Sequence, residues 1–312
     1  MDLRQLQYFL ATVEHRSFGR AADALHVTQP ALSKAVGRLE ASLGVKLLDR
    51  LPRGVSPTLY GEVLAAHANL IDGELGRARD AIIALKQGST GRVVVGAGAS
   101  MRLELLPEAT VRLYQRRPEV KIKVTGELYD DLIPGLQKGE FDLILSMVPE
   151  YVIDPDIRHE PLYLDQTHPC VRVGHPLLQK RNISAADCLE YGWILPKEGN
   201  LGRRHLDAFF LAMNLPAPQP TVESNTTIYT INAVRKSDLI GWLPTQIIND
   251  SMVTGVTALP VAAITLTRTV GISYRRASVL SPAALLLFDE LKQVSREMVA
   301  ANRVLPLANI LE

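Results

Sequence analysis

The stretch SFGRAADALHVTQPALSKAVGRLEASLG, residues 17–44, reads as two short helices joined by a tight turn. In the first, Phe18, Ala21, Ala22 and Leu25 fall at helical spacing and make one apolar face. The turn is His26-Val27, and histidine is among the few residue types besides glycine that tolerate a left-handed backbone. Thr28 stands where an N-cap belongs, its hydroxyl placed to accept from a free helix amide. Pro30 is tolerated in a first turn, where no intrahelical bond is lost. Leu32, Val36, Leu39 and Leu43 repeat at helical spacing and are expected to face inward. Gln29, Pro30, Ser33, Lys34, Gly37 and Arg38 are left pointing out. An amide, a hydroxyl and two cations on one exposed face suit a helix laid in a DNA major groove. They also suit a helical hairpin with a solvated outer face.

The flanks extend the pattern. Residues 2–15 form a bracing helix with Leu3, Leu6, Phe9, Leu10 and Val13 as its apolar stripe. After Gly44, Val45–Arg50 leads into Leu51-Pro52-Arg53-Gly54-Val55-Ser56-Pro57, whose prolines and glycine are turn chemistry. This fits a wing with Arg53 at its tip, near phosphate or the minor groove, or else a solvated loop charge. Thr58 can cap the next helix, which runs to about Lys86. In it Leu64, Ala68, Ile71, Leu75, Ala78, Ile82 and Leu85 alternate spacings of four and three, a seam for helix pairing. Gly73 and Gly76 weaken an isolated helix by roughly 1 kcal/mol each, so a partner helix is expected to supply stability. Gln87–Gly91 is a hinge by composition.

The run LRQLQYFLATVEHRSFGRAADALHVTQPALSKAVGRLEASLGVKLLDR, followed by PRGVSPTLYGE, resembles the DNA-binding domain of the LysR-type transcriptional regulators. The match is contiguous and specific in spacing. It implies a winged helix-turn-helix domain at 1–57, a dimerising linker helix and hinge at 58–90, and an effector-binding domain at 91–301, with a loosely held tail at 302–312. It implies DNA contacts from Ser17, Thr28, Gln29, Pro30, Ser33, Lys34, Arg38, Arg53 and Thr58. It further implies a homodimer assembling to a homotetramer on double-stranded promoter DNA, with RNA polymerase as a further partner. Two-fold proteins read palindromic half-sites, which suits a dimer.

Composition agrees. The 312 residues leave room for two or three domains, and 47 % hydrophobic residues mark a globular chain. The net charge of +1 hides an asymmetry: residues 1–57 hold eight basic and five acidic side chains, so the remainder is net acidic. A basic N-terminal domain on a near-neutral body suits a nucleic-acid reader with a separate second function. Cys170 and Cys188 are too few for a secreted disulfide scaffold. Some LysR-type regulators sense oxidants through such a pair, but neither cysteine has a Cys-x-x-Cys neighbour. No apolar run reaches membrane-span length, and Asp2, Arg4 and Glu14 interrupt any signal peptide, so a cytoplasmic protein is expected.

From Arg92 onward strands alternate with helices: strands at 92–96, 120–125, 141–146 and 170–174, and helices at 102–115 and 130–138. The alternation argues an α/β domain with largely parallel sheets. Later landmarks are Trp193–Pro196, a helix from Leu201, strands at 221–224, 240–244 and 270–274, and a long final helix at 281–299. By the resemblance this is a two-lobed α/β fold of the periplasmic-binding-protein type. Lobe I is expected at 91–164 plus 268–301, and lobe II at 165–267.

Ligands in such sheets bind beyond the carboxyl ends of strands. That points to Ser100, Met101, Arg102, Tyr129, Met147, Gly199, Asn200, Asn225, Thr226 and Thr227 as effector contacts. Ser100 heads a helix, where a hydroxyl and free amides favour an anion, and Thr227 holds the matching place in the other lobe. For each, ordinary capping or turn formation is the competing reading. Met147 stands where some carboxylate-sensing relatives carry a charge, which argues against a dicarboxylate. Arg102, Arg203 and Arg204 are either replacement cations or solvated helix residues. PKEGNLGRR and GISYRRASVLSPAA resemble a branch of the family that answers to sugars, aromatic acids or sulfonates. No cofactor or metal is expected. An enzyme on the α/β domain lacks G-x-S-x-G, a phosphate loop and a His-Glu-x-x-His pair, and the seven histidines have no ligand spacing. A simple solute-binding protein leaves the N-terminal domain unexplained.

Overall fold

The computed structural model describes residues 1–52, 54–87, 91–126, 128–149 and 154–307. It divides into two compact units, residues 1–83 and, apart from 137–140, residues 84–312.

The first unit holds α1 (Leu3–His15), α2 (Phe18–Ala24), α3 (Gln29–Leu43), the hairpin β1 (Leu48–Leu51) and β2 (Gly54–Pro57), and α4 (Leu59–Gln87). A capping box between Asp2 and Gln5 starts α1. Phe9, Ala21, Leu32 and Leu39 are fully buried at the junction of the three helices. His26 does take a left-handed backbone, φ 53°, which lets the chain reverse between α2 and α3. Thr28 occupies the N-cap but its side chain makes no capping bond, contrary to the sequence expectation. Leu3 and Leu43 are 48 % and 42 % exposed rather than inward, because each lies beyond the last residue that the neighbouring helices cover. Tyr8 and Thr12 are buried instead, and the Thr12 hydroxyl donates to the Tyr8 carbonyl at 2.7 Å. That bond satisfies a polar group that the core would otherwise penalise.

The hairpin is the expected wing. Gly54 has φ 128°, and a Cβ there would clash with the Arg16 carbonyl, which accepts from Val55 N–H at 3.1 Å. Only glycine lets the wing approach the helices so closely. Arg53 lies outside the described residues. Thr58 caps α4 as expected, accepting from Gly61 N–H at 3.1 Å while donating to the Lys46 carbonyl at 2.7 Å.

The seam along α4 divides. Leu64 and Ala68 pack on the core of the same unit, whereas Ile71, Leu75, Ala78 and Ile82 are exposed. Gln7 of α1 still reaches α4 at Asp72, at 3.0 Å, but beyond Ala68 the stripe is left open to solvent among the described residues. Leu59, Tyr60 and Val63 add a second exposed apolar group at its start. The Leu85 side chain and the hinge residues 88–90 lie outside the described residues.

The second unit runs β3 (Arg92–Ala97), α5 (Leu105–Arg116), β4 (Lys121–Gly126), α6 (Tyr129–Gln137), β5 (Leu143–Val148), β6 (Ile157–Arg172), α7 (Ala185–Cys188), β7 (Trp193–Leu195), α8 (Leu201–Ala212), β8 (Pro220–Glu223), α9 (Thr227–Arg235), β9 (Ile240–Pro244), α10 (Thr245–Ile248), β10 (Val256–Ala258), β11 (Leu266–Arg275) and α11 (Pro282–Ala300). The strand order is β4-β3-β5-β11-β6-β9-β7-β8, with β10 beside β6. Strands β4, β3 and β5 are parallel, as are β8, β7 and β9. The two groups are joined by β6 and β11, which pair antiparallel with each other and with their neighbours, so the sheet is less parallel than the alternation suggested.

Each group of strands has its own core. Val93, Leu143, Tyr163, Ile272 and Leu291 are fully buried in one lobe, and Trp193, Leu206, Phe210 and Ile240 in the other. Strands β6 and β11 run unbroken through the lobe boundaries expected at 164/165 and 267/268. The segment 170–174, expected as a separate strand, is only the end of β6. Helix α5 starts at Leu105 instead of Arg102, because Ser100–Arg102 closes a 3-10 turn first. The expected loose tail is tied at its start: Leu305 and Leu164 exchange backbone bonds of 2.9 and 3.0 Å, and Val304 is buried.

Candidate functional site

Two sites emerge, one in each unit. On α3, Thr28, Gln29, Pro30, Lys34 and Arg38 are exposed and Ser33 is half-buried. Among the described residues neither Lys34 nor Arg38 forms a salt bridge, so two uncompensated cations face solvent beside an uncapped helix start. Such a helix start carries free amides and a partial positive charge. Ser17, the residue before α2, accepts from Arg20 N–H at 3.4 Å and so acts first as a cap. Glu40 on the far side accepts from Leu47 N–H at 2.9 Å and pairs with Lys46, which holds its carboxyl below the usual range despite the opposing effect of burial. The negative charge of this region is thereby spent away from the exposed α3 face.

In the second unit a cavity of about 160 Å³ opens between the lobes, beyond the ends of β3, β5, β7 and β8. It has room for on the order of ten water-sized groups. Of the residues expected there, Ser100, Met101, Tyr129, Met147, Asn200, Asn225, Thr226 and Thr227 line it. Gly199 does not. Arg102 lies further out, beside Gly126. Arg203 is neither a ligand cation nor solvated: it is buried and donates to the Pro196 carbonyl at 3.1 Å. Asn200 lines the cavity, yet its amide is already used. Its Oδ1 accepts from Arg203 N–H at 3.2 Å, and its Nδ2 donates to Asp130 across the cleft at 2.9 Å.

Ser100 opens a 3-10 turn, so no helix start faces it. Ser100 is 2 % exposed, and its hydroxyl accepts from Arg268 Nη2 at 3.0 Å. Arg268, which the sequence reading passed over, is the cation of the cleft. The same Nη2 donates to Asp165 at 2.8 Å, and Asp165 is only 2 % exposed on its side chain. Among the described residues Arg268 Nε is buried without a partner, as is the hydroxyl of Thr167. Both residues line the cavity. A visible signal was a charge set inside each of two apolar strand sequences, Leu164-Asp165 and Leu266-Thr267-Arg268-Thr269-Val270, which calls for mutual pairing.

From the opposite lobe, α9 presents its first turn. Thr226 is the N-cap but bonds no helix amide through its side chain, so the Thr227 end carries free donors. Thr226 N–H is held by Ser224 Oγ at 3.1 Å, which fixes the turn. Tyr129 at the rim has its phenol pushed upward, by burial first and then by Asp130, so it stays protonated. The assembled wall offers hydroxyls, amides and one guanidinium to a small polar molecule. Cys170 and Cys188 are fully buried, and burial pushes both thiols up to about 12, far from a reactive thiolate. Among the described residues no cluster is suited to hold a metal ion, and no helix is long and apolar enough to cross a membrane.

Comparison with known proteins gives the same division. Residues 3–62 match the family described as bacterial regulatory helix-turn-helix protein, lysR family, and residues 86–296 match the LysR substrate binding domain. The HTH-type transcriptional regulator GbpR of Azospirillum brasilense is 34 % identical over 77 % of this chain and 70 % of its own. The SDS degradation transcriptional activation protein of a Pseudomonas strain is 32 % identical over 91 % of this chain and 93 % of its own. Full-length OxyR of Pseudomonas aeruginosa superposes with a TM-score of 0.68 at 26 % identity, covering 95 % and 97 % of the two chains. CbnR solved with its target DNA shares the fold, with a TM-score of 0.66 at 19 % identity over 94 % of this chain and 100 % of that one. The two family matches fall in turn on the helix-turn-helix unit and on the α/β unit that holds the cleft, and the chain belongs to the LysR family of DNA-binding transcriptional regulators.

Proposed function

We propose that this protein is a ligand-responsive regulator that senses a small organic molecule in the interlobe cleft. The observation that carries the reading is the pair of buried, unpartnered polar atoms, Arg268 Nε and Thr167 Oγ1, lining a cavity that the start of α9 also faces. Buried donors without partners are rare and costly, and a ligand oxygen removes the cost. An acid, a sulfonate or a hydroxyl-rich sugar supplies such oxygens. A relative named for SDS degradation is in keeping with an organic anion.

Around this site we place a DNA-binding domain at 1–57, a dimerising linker at 58–90 and the effector domain at 91–301. Gln29 and Ser33 read base edges, while Ser17, Thr28, Pro30, Lys34, Arg38 and Arg53 lie on the backbone side. Thr58 acts by fixing the exit of the wing. Dimers pair into tetramers on promoter DNA in the bacterial cytoplasm. A ligand with different affinity for two lobe arrangements shifts their balance and with it the signal to RNA polymerase.

A screen of small acids, sulfonates and sugars by thermal shift finds the ligand, because binding to the folded state raises the melting temperature. For the best binder, Thr167→Val and Thr227→Val are each expected to weaken affinity about fivefold, the worth of roughly 1 kcal/mol per lost neutral hydrogen bond. DNA binding without ligand stays at the wild-type level. Unchanged ligand affinity in both variants removes the cleft from the account.

A further inference from the structure

Beside the inner cavity lies a second compartment of about 720 Å³. The two share Ala99, Leu128, Ile247 and the Asn225–Thr227 turn as walls. The inner wall mixes hydroxyls and amides with apolar side chains such as Met101, Met147, Trp242 and Leu266. The outer compartment is walled by Leu103, Ile228 and Met252, which are 41 %, 69 % and 89 % exposed. Single exposed apolar side chains are ordinary, but three large ones around one concavity form a patch that a ligand can cover.

The same compartment carries Arg102 and Arg235. The Arg102 guanidinium lies against Gly126. Arg235 donates to the Asn232 side-chain carbonyl. Among the described residues neither arginine forms a salt bridge. Of the two carboxylates of the compartment, Asp131 pairs with Lys197 at 3.1 Å, while Asp250 accepts from Met252 N–H at 2.8 Å and keeps its charge. An apolar wall beside two guanidiniums that form no salt bridge among the described residues is complementary to a molecule with a hydrocarbon body and one acidic group.

We propose that the outer compartment is a binding site for an amphipathic organic anion of medium chain length, its acidic group on Arg102 and Arg235 and its hydrocarbon body along Leu103, Ile228 and Met252. The site is filled independently of the inner cavity and does not depend on what the inner cavity takes.

The test uses the full chain and straight-chain carboxylates as probes in calorimetric titration. Octanoate is expected to bind at least tenfold tighter than butanoate, since each buried methylene adds up to about fourfold. Arg102→Gln with Arg235→Gln is expected to weaken octanoate tenfold or more while leaving 1-octanol unchanged. Ile228→Asn with Met252→Gln is expected to remove the dependence on chain length. All four residues are exposed, so these variants keep the fold, and an unshifted melting temperature verifies it. Thr167→Val is expected to leave octanoate binding unaltered, which separates this site from the inner one. Equal affinity for octanoate and butanoate, or octanoate binding untouched by the double arginine substitution, overturns the proposal. So does loss of octanoate binding in Thr167→Val, which puts the chain in the inner cavity instead.

Discussion

Replacing Arg268 by methionine is expected to destabilise the effector domain by about 3–5 kcal/mol, the usual cost of stranding one partner of a buried ion pair. The size follows from Asp165. Its side chain is 2 % exposed, and Arg268 at 2.8 Å is the cation paired with it. Among the described residues, the substitution leaves a carboxylate out of water with only Gln166 N–H donating to it at 2.8 Å. It also strips the Ser100 hydroxyl of its 3.0 Å donor. Urea unfolding of the full chain, followed by a probe of the effector domain, reads the effect. The double variant Arg268→Met with Asp165→Leu is expected to recover most of the loss, because a buried pair exchanged for apolar groups of similar volume is often neutral. If the single variant unfolds at wild-type urea, Asp165 finds solvent or another partner, and the described pairing does not hold the cleft.

The second large effect concerns α4. Ile71 and Ile82 are 40 % and 65 % exposed in the single chain, so an aspartate at either position changes the isolated fold by no more than about 0.5 kcal/mol. Buried against a second copy of the helix, the same aspartate is an unpaired charge in an apolar seam and costs several kcal/mol. Ile71→Asp combined with Ile82→Asp is therefore expected to weaken the dimer by a hundredfold or more, with both melting transitions in place. Sedimentation across a concentration series measures it. An intact dimer in the double variant assigns the exposed stripe another use and moves the interface toward Leu59, Tyr60 and Val63.

Much of the first unit was legible because its information is local. Caps, a left-handed histidine and a leucine repeat lie within one stretch of chain, and each constrains its neighbours directly. What failed there was the side-chain cap expected of Thr28, and coverage. Leu43 and Leu3 have the right period for burial, but no element reaches over them. The α4 stripe has one period throughout, and only the packed structure shows that Ala68 is core while Ile71 is open. In the second unit β6 stayed hidden. Its burial changes character along its 16 residues, from one lobe to the shared centre and into the other. Pro161, Asp165 and Pro169 also break the alternation by which a strand is recognised. Arg268 was missed for the same reason, since its partner Asp165 is distant in sequence and adjacent only through the β6–β11 pairing. The loop-borne threonines and serines of the cleft were legible because turn chemistry marks strand ends.

The most direct measurement is selection of random duplex DNA by the full chain, with Gln29→Ala and Ser33→Ala run beside the wild type. Wild-type protein is expected to enrich a discrete set of duplexes with two-fold symmetric half-sites, preferring them over random DNA. Both variants keep the melting profile of the wild type and lose roughly 1–3 kcal/mol of discrimination at the bases they touch. Equal enrichment by wild type and both variants contradicts the placement of α3 as the reading element.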